Sequence, residues 1–191
     1  MATKYIVNNV SGQTINGELL QPYKVYTALL TQTGGDDPQT ISAGTLVVGV
    51  TYEITNYQSG DDFTNIGAPL NETGIKFVAT GTSPNVWTNN SELSYNNGAP
   101  VVTVLENTIG NINFQYSSIG NYNVNCYPDN FFLVGKTIGF IGSVGDDYAV
   151  PAYGYLRANG TDRFIILTQD STLVDADAML LNTPIEIRVY N

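Results

Sequence analysis

Histidine is absent from this 191-residue chain, and that absence narrows the available chemistry before any motif is sought. Without it there is no Ser–His or Cys–His nucleophile and no ordinary neutral-pH base, and the commonest zinc ligand is missing. A pair of facing carboxyls needs no imidazole, so glycoside cleavage is the one familiar hydrolysis still open in principle. The obvious doublets are Asp36-Asp37, Asp61-Asp62 and Asp146-Asp147. Adjacent residues point to opposite faces of a strand and diverge on a helix, so a doublet is not in itself an acid/base pair. Each follows a glycine in turn-like surroundings, which favours turn and capping roles.

Other candidates are equally sparse. Asp175-Ala176-Asp177 has the i, i+2 spacing of oxygen-ligand loops, but no full calcium-binding helix-loop-helix pattern accompanies it. No GxxxxGK[ST] string is present to cradle a phosphate. Cys126 is the single cysteine and sits in an alternating strand pattern, where a small buried residue is expected rather than a nucleophile. It also excludes an intrachain disulfide. Asn-x-Ser/Thr triplets such as Asn159-Gly160-Thr161 read as turns in an Asn-rich chain. Tyr116, Tyr122, Tyr127, Tyr148, Tyr153 and Tyr155 combine apolar area with a hydroxyl, the makings of a glycan- or protein-binding surface. Taken singly, each reads as a half-buried strand residue at a sheet border, with a few expected in subunit contacts. No catalytic, cofactor-binding or metal-ligating residue is assigned, and no cofactor is expected.

The elements that would position these residues are strands. With 42% hydrophobic and 13% charged residues the chain can bury a substantial core. Tyr, Thr and Val suit pleated surfaces, and good surface-helix formers are scarce. Seven basic against 17 acidic residues give a formal charge of −10, which repels phosphate backbones, so nucleic acid is not an expected partner. No segment reaches the roughly 20 apolar residues of a membrane helix, and no membrane partner is expected. The opening Met1-Ala2-Thr3-Lys4-Tyr5 lacks the apolar run of an export signal, so synthesis in a cytoplasm is expected.

Strands are expected over 4–10 and 13–20, with a type I′ hairpin at Asn16-Gly17, and over 23–31. Gly34-Gly35-Asp36-Asp37-Pro38 then breaks the pattern. Residues 45–55 read as strand, tight turn and strand. In 60–67, Asp61 or Asp62 is the expected N-cap, Phe63 and Ile66 a buried i, i+3 pair, and Gly67 the left-handed stop of one helical turn. Strands are expected at 75–80 and from Val86, with Trp87 as this segment's core anchor. After the second breaker, Asn96-Asn97-Gly98-Ala99-Pro100, strand patterns return at 101–105, 112–116, 122–127, 136–141, 153–157 and 163–168, the last two flanking Asn159-Gly160. The segment 173–181 has room for a helical turn. In the closing strand Ile185, Ile187 and Val189 share one face, while Glu186 and Arg188 suit a solvated or edge position.

The two breaker clusters allow residues 40–96 to be an insertion, because 29–34 followed by 100–110 would make neighbouring strands joined by an ordinary loop. The string Tyr23-Lys24-Val25-Tyr26-Thr27-Ala28-Leu29-Leu30-Thr31-Gln32, continued by Thr103-Val104-Leu105-Glu106-Asn107-Thr108-Ile109-Gly110, resembles structural proteins of tailed phages of Bacteroidetes-type hosts. The ending Asn182-Thr183-Pro184-Ile185-Glu186-Ile187-Arg188-Val189-Tyr190 is similar to the close of the same proteins. Gly60-Asp61-Asp62-Phe63-Thr64-Asn65-Ile66-Gly67-Ala68, with Phe77-Val78-Ala79-Thr80-Gly81-Thr82 and Trp87, resembles a small β-module found in many phage virion proteins.

The expectation is therefore an all-β chain, a β-sandwich-like body of residues 1–39 plus 97–191 with a small β-rich module inserted at 40–96. The resemblance implies a virion component with no catalytic residues to carry over. It would be a head fibre, decoration or tail-associated protein that meets other virion proteins and further copies of itself. The competing expectation is a glycan- or receptor-binding adhesin whose partner is a host-surface glycan; a glycan-degrading enzyme comes third.

Overall fold

A computed structural model describes residues 7–9, 12–15, 18–20, 22–126, 132, 135–142, 153–158 and 163–190. The fold is all-β with a β-sandwich-like body. Near the start, β1 (Val7–Asn9), β2 (Gly12–Ile15) and β3 (Glu18–Leu20) form a three-stranded antiparallel sheet. Ile15 pairs with Glu18; the Asn16-Gly17 turn itself lies outside the described residues, as does Asn159-Gly160.

The body is built from eight strands. They are β4 (Tyr23–Thr31), β9 (Val101–Asn107), β10 (Ile112–Ser118), β11 (Asn121–Cys126), β12 (Thr137–Ile141), β13 (Tyr153–Ala158), β14 (Arg163–Gln169) and β15 (Thr183–Tyr190). One sheet has the order β12-β15-β4-β9 and the other β10-β11-β14-β13. Period-two patterning decides which faces meet. Ala28, Leu30, Ile185, Ile187 and Val189 face inward from the first sheet, and Phe114, Tyr122, Val124, Phe164 and Ile166 from the second, in one buried cluster. Cys126 lies in that cluster, 3% exposed.

A third four-stranded sheet, β5-β8-β6-β7, is drawn wholly from residues 38–96. Its strands are β5 (Pro38–Ile41), β6 (Thr51–Asn56), β7 (Lys76–Val78) and β8 (Glu92–Asn96). Tyr52, Ile54, Phe63, Ile66, Phe77 and Leu93 form a second buried cluster, separate from the first. Trp87 is half-buried against it, edge-on to Phe63 with centroids 5.5 Å apart. Entry and exit lie side by side because β5 and β8 are antiparallel neighbours, with Pro38 opposite Asn96. The sheet therefore starts two residues before the expected boundary at 40, and the strand Pro38–Ile41 straddles it.

Other expectations need correcting. Residues 45–50 make no strand: Leu46 N–H donates to the Thr82 carbonyl (2.8 Å) and Gly49 N–H to that of Ala79 (2.8 Å), single bonds to separate partners rather than a ladder. The run is apolar without alternation, and Val47 and Val48 stay exposed. Val86 makes one bridge to Asp62 instead of starting a strand. No helical turn forms in 173–181, where Leu173 (φ 65°) and Ala178 (φ 60°) occupy the left-handed region. The last strand is interior, between β12 and β4, although Glu186 and Arg188 do pair on its outer face.

The third sheet is joined to the body along a seam of backbone-directed bonds. Val102 N–H donates to the Gly49 carbonyl (2.9 Å), Phe114 N–H to Thr51 Oγ1 (3.0 Å), and Asn111 Nδ2 to the Lys76 carbonyl (2.7 Å). Gly49 has φ 88°, and a Cβ there would lie 2.5 Å from the Val102 carbonyl oxygen, so only glycine fits this approach. The contact also covers part of the otherwise open edge of β9. Beyond it, a register shift between Thr27 and Ala28 leaves Leu105 unpaired, a bulge of the kind that blunts exposed edges.

Candidate functional site

Among the described residues, the acidic side chains singled out by sequence are engaged by hydrogen-bond donors. Asp61, 2% exposed, is the most enclosed of them. Its Oδ1 accepts from Thr88 N (2.8 Å), Asn89 N (2.9 Å) and Asn89 Nδ2 (3.0 Å), and its Oδ2 from Ser91 N (3.0 Å). Burial penalises the charged carboxylate, but the N–H groups of Asn89, Ser91 and Thr88 outweigh it and hold the pKa down at about 2. Asp61 thus pins the loop 88–91 that carries the chain from Trp87 into β8. Trp87 closes the same turn, its Nε1 donating to the Ser91 carbonyl (2.8 Å).

Asp62 braces the following turn from outside it. Its Oδ1 accepts from Thr64 N (3.0 Å) and Thr64 Oγ1 (2.7 Å), at the start of a single 3₁₀ turn, Thr64–Ile66. Asn71 and Asn85 amides also donate to it. The side-chain amides of Asn85 and Asn71, then Thr64, keep its carboxyl well below the usual range. Phe63 and Ile66 are buried as expected, and Gly67 ends the turn at φ 109°. Neither expected residue is the N-cap, a position that falls on Phe63 without a side-chain cap bond: Asp62 braces the turn from one residue earlier, and Asp61 performs a different role.

Asp36 and Asp37 stitch together the two ends of the segment that carries the third sheet: Asn96 Nδ2 donates to Asp36 (2.7 Å), and Asn97 Nδ2 (2.7 Å) and Gln39 Nε2 (2.7 Å) to Asp37. Asp175 and Asp177 do not converge. Asp175 receives Gln169 Nε2, whereas Asp177 accepts from Gly120 N (2.8 Å), Tyr122 OH (2.9 Å) and Tyr116 OH (3.0 Å). Burial, and then the bond to Asp177, pushes both phenols up. Asp146-Asp147, Tyr127, Tyr148 and Asn159-Gly160-Thr161 fall outside the described residues, as do the side chains of Tyr153 and Tyr155. Asp61, Asp62 and Asp170 move towards lower pKa, opposite to what a general acid near neutral pH requires.

Two hollows flank the seam. The apolar one, about 430 Å³, is bordered by Tyr26, Val78, Val104 and Ile112. The Tyr26 hydroxyl finds no partner among the described residues, and burial drives its pKa upward. The other, about 200 Å³, mixes polar and apolar lining, with Glu53, Ser94 and Tyr95 on one wall and Gln115 and Tyr116 on the other. Of these, only Tyr116 had been singled out by sequence. The rest lie in three strands, β6, β8 and β10, far apart in the chain, so no local spacing could reveal them.

Comparison with protein-family models, with curated proteins and with solved structures finds no match to this chain.

Proposed function

We propose that this chain is a structural component of a phage virion. It acts as an accessory head fibre, decoration or tail-associated protein through contacts with other virion proteins and with further copies of itself. The observation that carries the reading is the outer face of the sheet β12-β15-β4-β9. Ile138 and Phe140 there are 45% and 49% exposed. The Arg188 guanidinium lies 4.8 Å from the ring centre of Tyr23 and 5.4 Å from that of Phe140. An Arg set among aromatic rings on the outer face of a sheet is the composition of protein–protein hot spots rather than of a reaction centre. The locked carboxylates and the missing imidazole support the same reading, in which the chain is not an enzyme. So does the resemblance of its first, middle and last segments to phage structural proteins.

In this proposal residues 38–96 are an inserted module on the body. Joining Asp37 to Asn97, whose N–H already donates to the Asp37 carbonyl (3.0 Å), should leave a folded body; an insoluble product would mean one shared core. The function is tested by electron microscopy of purified particles. Density for the chain is expected at fixed symmetric positions, and recovery of the protein only as free material from infected cells would contradict the assignment.

A further inference from the structure

We propose that the smaller cleft beside the seam is a binding site for a single neutral sugar ring. This stands whether or not the chain belongs to a particle.

The cleft joins the two halves of the fold. Its floor is the buried bond from Phe114 N–H to Thr51 Oγ1, and each wall presents one tyrosine, Tyr95 from β8 and Tyr116 from β10. Both rings are held in place from behind. Tyr95 packs on Tyr52 with centroids 5.1 Å apart. Tyr116 packs edge-on to Tyr122 at 5.9 Å, and its hydroxyl is tied to Asp177 at 3.0 Å. Rings fixed in this way offer an apolar surface to the C–H face of a pyranose with little side-chain entropy left to lose.

The polar groups beside them are in part unspent. Gln115 Oε1 accepts from Asn125 (3.0 Å), but the Gln115 amide N–H₂ has no acceptor among the described residues. The hydroxyls of Ser94 and Tyr95 make no bond there either. Glu53, on the same wall, pairs with Lys76 at 3.4 Å, its one side-chain partner among the described residues, and keeps acceptor capacity. A planar amide, a carboxylate and two hydroxyls around aromatic faces match the alternating donors and acceptors of vicinal sugar hydroxyls.

Size and charge set the class of ligand. About 200 Å³ is smaller than the pockets of about 300–1,000 Å³ that enclose drug-sized molecules, so one ring is seated and the rest of a glycan would project outward. Glu53 borders the cleft, Asp36 acts on Tyr116 electrostatically, and the chain carries −10 overall. Anionic sugars are therefore disfavoured.

The test uses the full chain and saturation-transfer NMR with glucose, galactose, mannose and N-acetylglucosamine, and with glucuronate and N-acetylneuraminate as the anionic arm. At least one neutral sugar should bind saturably with a Kd of about 1–10 mM, the range for a shallow one-ring site. Ser94→Ala and Gln115→Ala should each weaken it about three- to tenfold, the loss of one hydrogen bond. Unchanged Trp87 emission verifies that Ser94→Ala keeps its core, and an unchanged rate of Cys126 modification does so for Gln115→Ala. No saturable binding of any neutral sugar to about 50 mM overturns the proposal. Equal binding of the anionic sugars, or full affinity in the doubly substituted chain, does so too.

Discussion

Two carboxylates, the buried Asp61 beside the third sheet and the half-buried Asp177 in the body, solve different problems. Asp61 collects three backbone N–H groups and one amide from a loop of four residues, 88–91, which has no ladder of its own. Asp177 collects two tyrosine hydroxyls and one N–H, all on β10 and β11 or the bend between them. In the first case the charge stands in for secondary structure. In the second it only ties down strands that sheet pairing and a large core already hold. The lesson is that a small sheet of short strands depends on single polar groups in a way the sandwich does not.

The largest expected effect follows directly. Asp61→Ala leaves those donors facing a vacated site and should cost about 3 kcal/mol, most of the stability of so small a core. Thermal unfolding followed by Trp87 emission should drop to a much lower midpoint. Asp177→Ala should cost less, about 2 kcal/mol, because Asp177 and Tyr116 are only half-buried and water can replace part of what is lost, although Tyr122 is buried. Its signature is faster modification of the Cys126 thiol, with Trp87 emission unmoved at low denaturant. A Trp87 change as large as that of Asp61→Ala would erase the distinction between the two carboxylates.

Gly49→Ala sharpens the comparison at the seam. The added Cβ cannot keep both φ 88° and its place against Val102, so about 1–2 kcal/mol should be lost. Amide exchange should speed up at Val102 and Phe114 while both cores remain protected. Smallest is the effect of acid. Asp61 has its pKa lowered to about 2, so its contribution is complete above the unfolded carboxyl pKa near about 4 and is lost as pH falls from there through 2. Trp87 emission should therefore change between pH ~4 and ~2. In Asp61→Asn that proton-linked step should be missing.

Much of the fold was legible because period-two alternation carries its own burial prediction. Ile185, Ile187 and Val189 were assigned one face, and they are inside. The helical turn at Phe63–Gly67 was readable from local chemistry alone. Where alternation was missing, reading failed. The apolar run Leu46–Val50 resembles a strand in composition, yet its backbone is fixed by Thr82, Ala79 and Val102, partners that no window of sequence contains. Arg188 and Glu186 on an outer face fit an edge strand equally well, since side-chain polarity does not say which backbone neighbours are present. The separate roles of Asp61 and Asp62, neither of them the N-cap, were not legible because their donors, at 88–91 for one and at 64, 71 and 85 for the other, become neighbours only after folding.

One Trp and one Cys make the central claim, two cores rather than one, directly measurable. Trp87 lies against the core of residues 38–96, and Cys126 is inside the core of the body. Urea unfolding of the full chain should be followed at once by Trp87 emission and by the rate of Cys126 modification. Two separate transitions are expected, with Trp87 changing at lower urea while Cys126 is still protected. A single coincident transition for both residues, in the parent chain and equally in Asp61→Ala, would contradict the account.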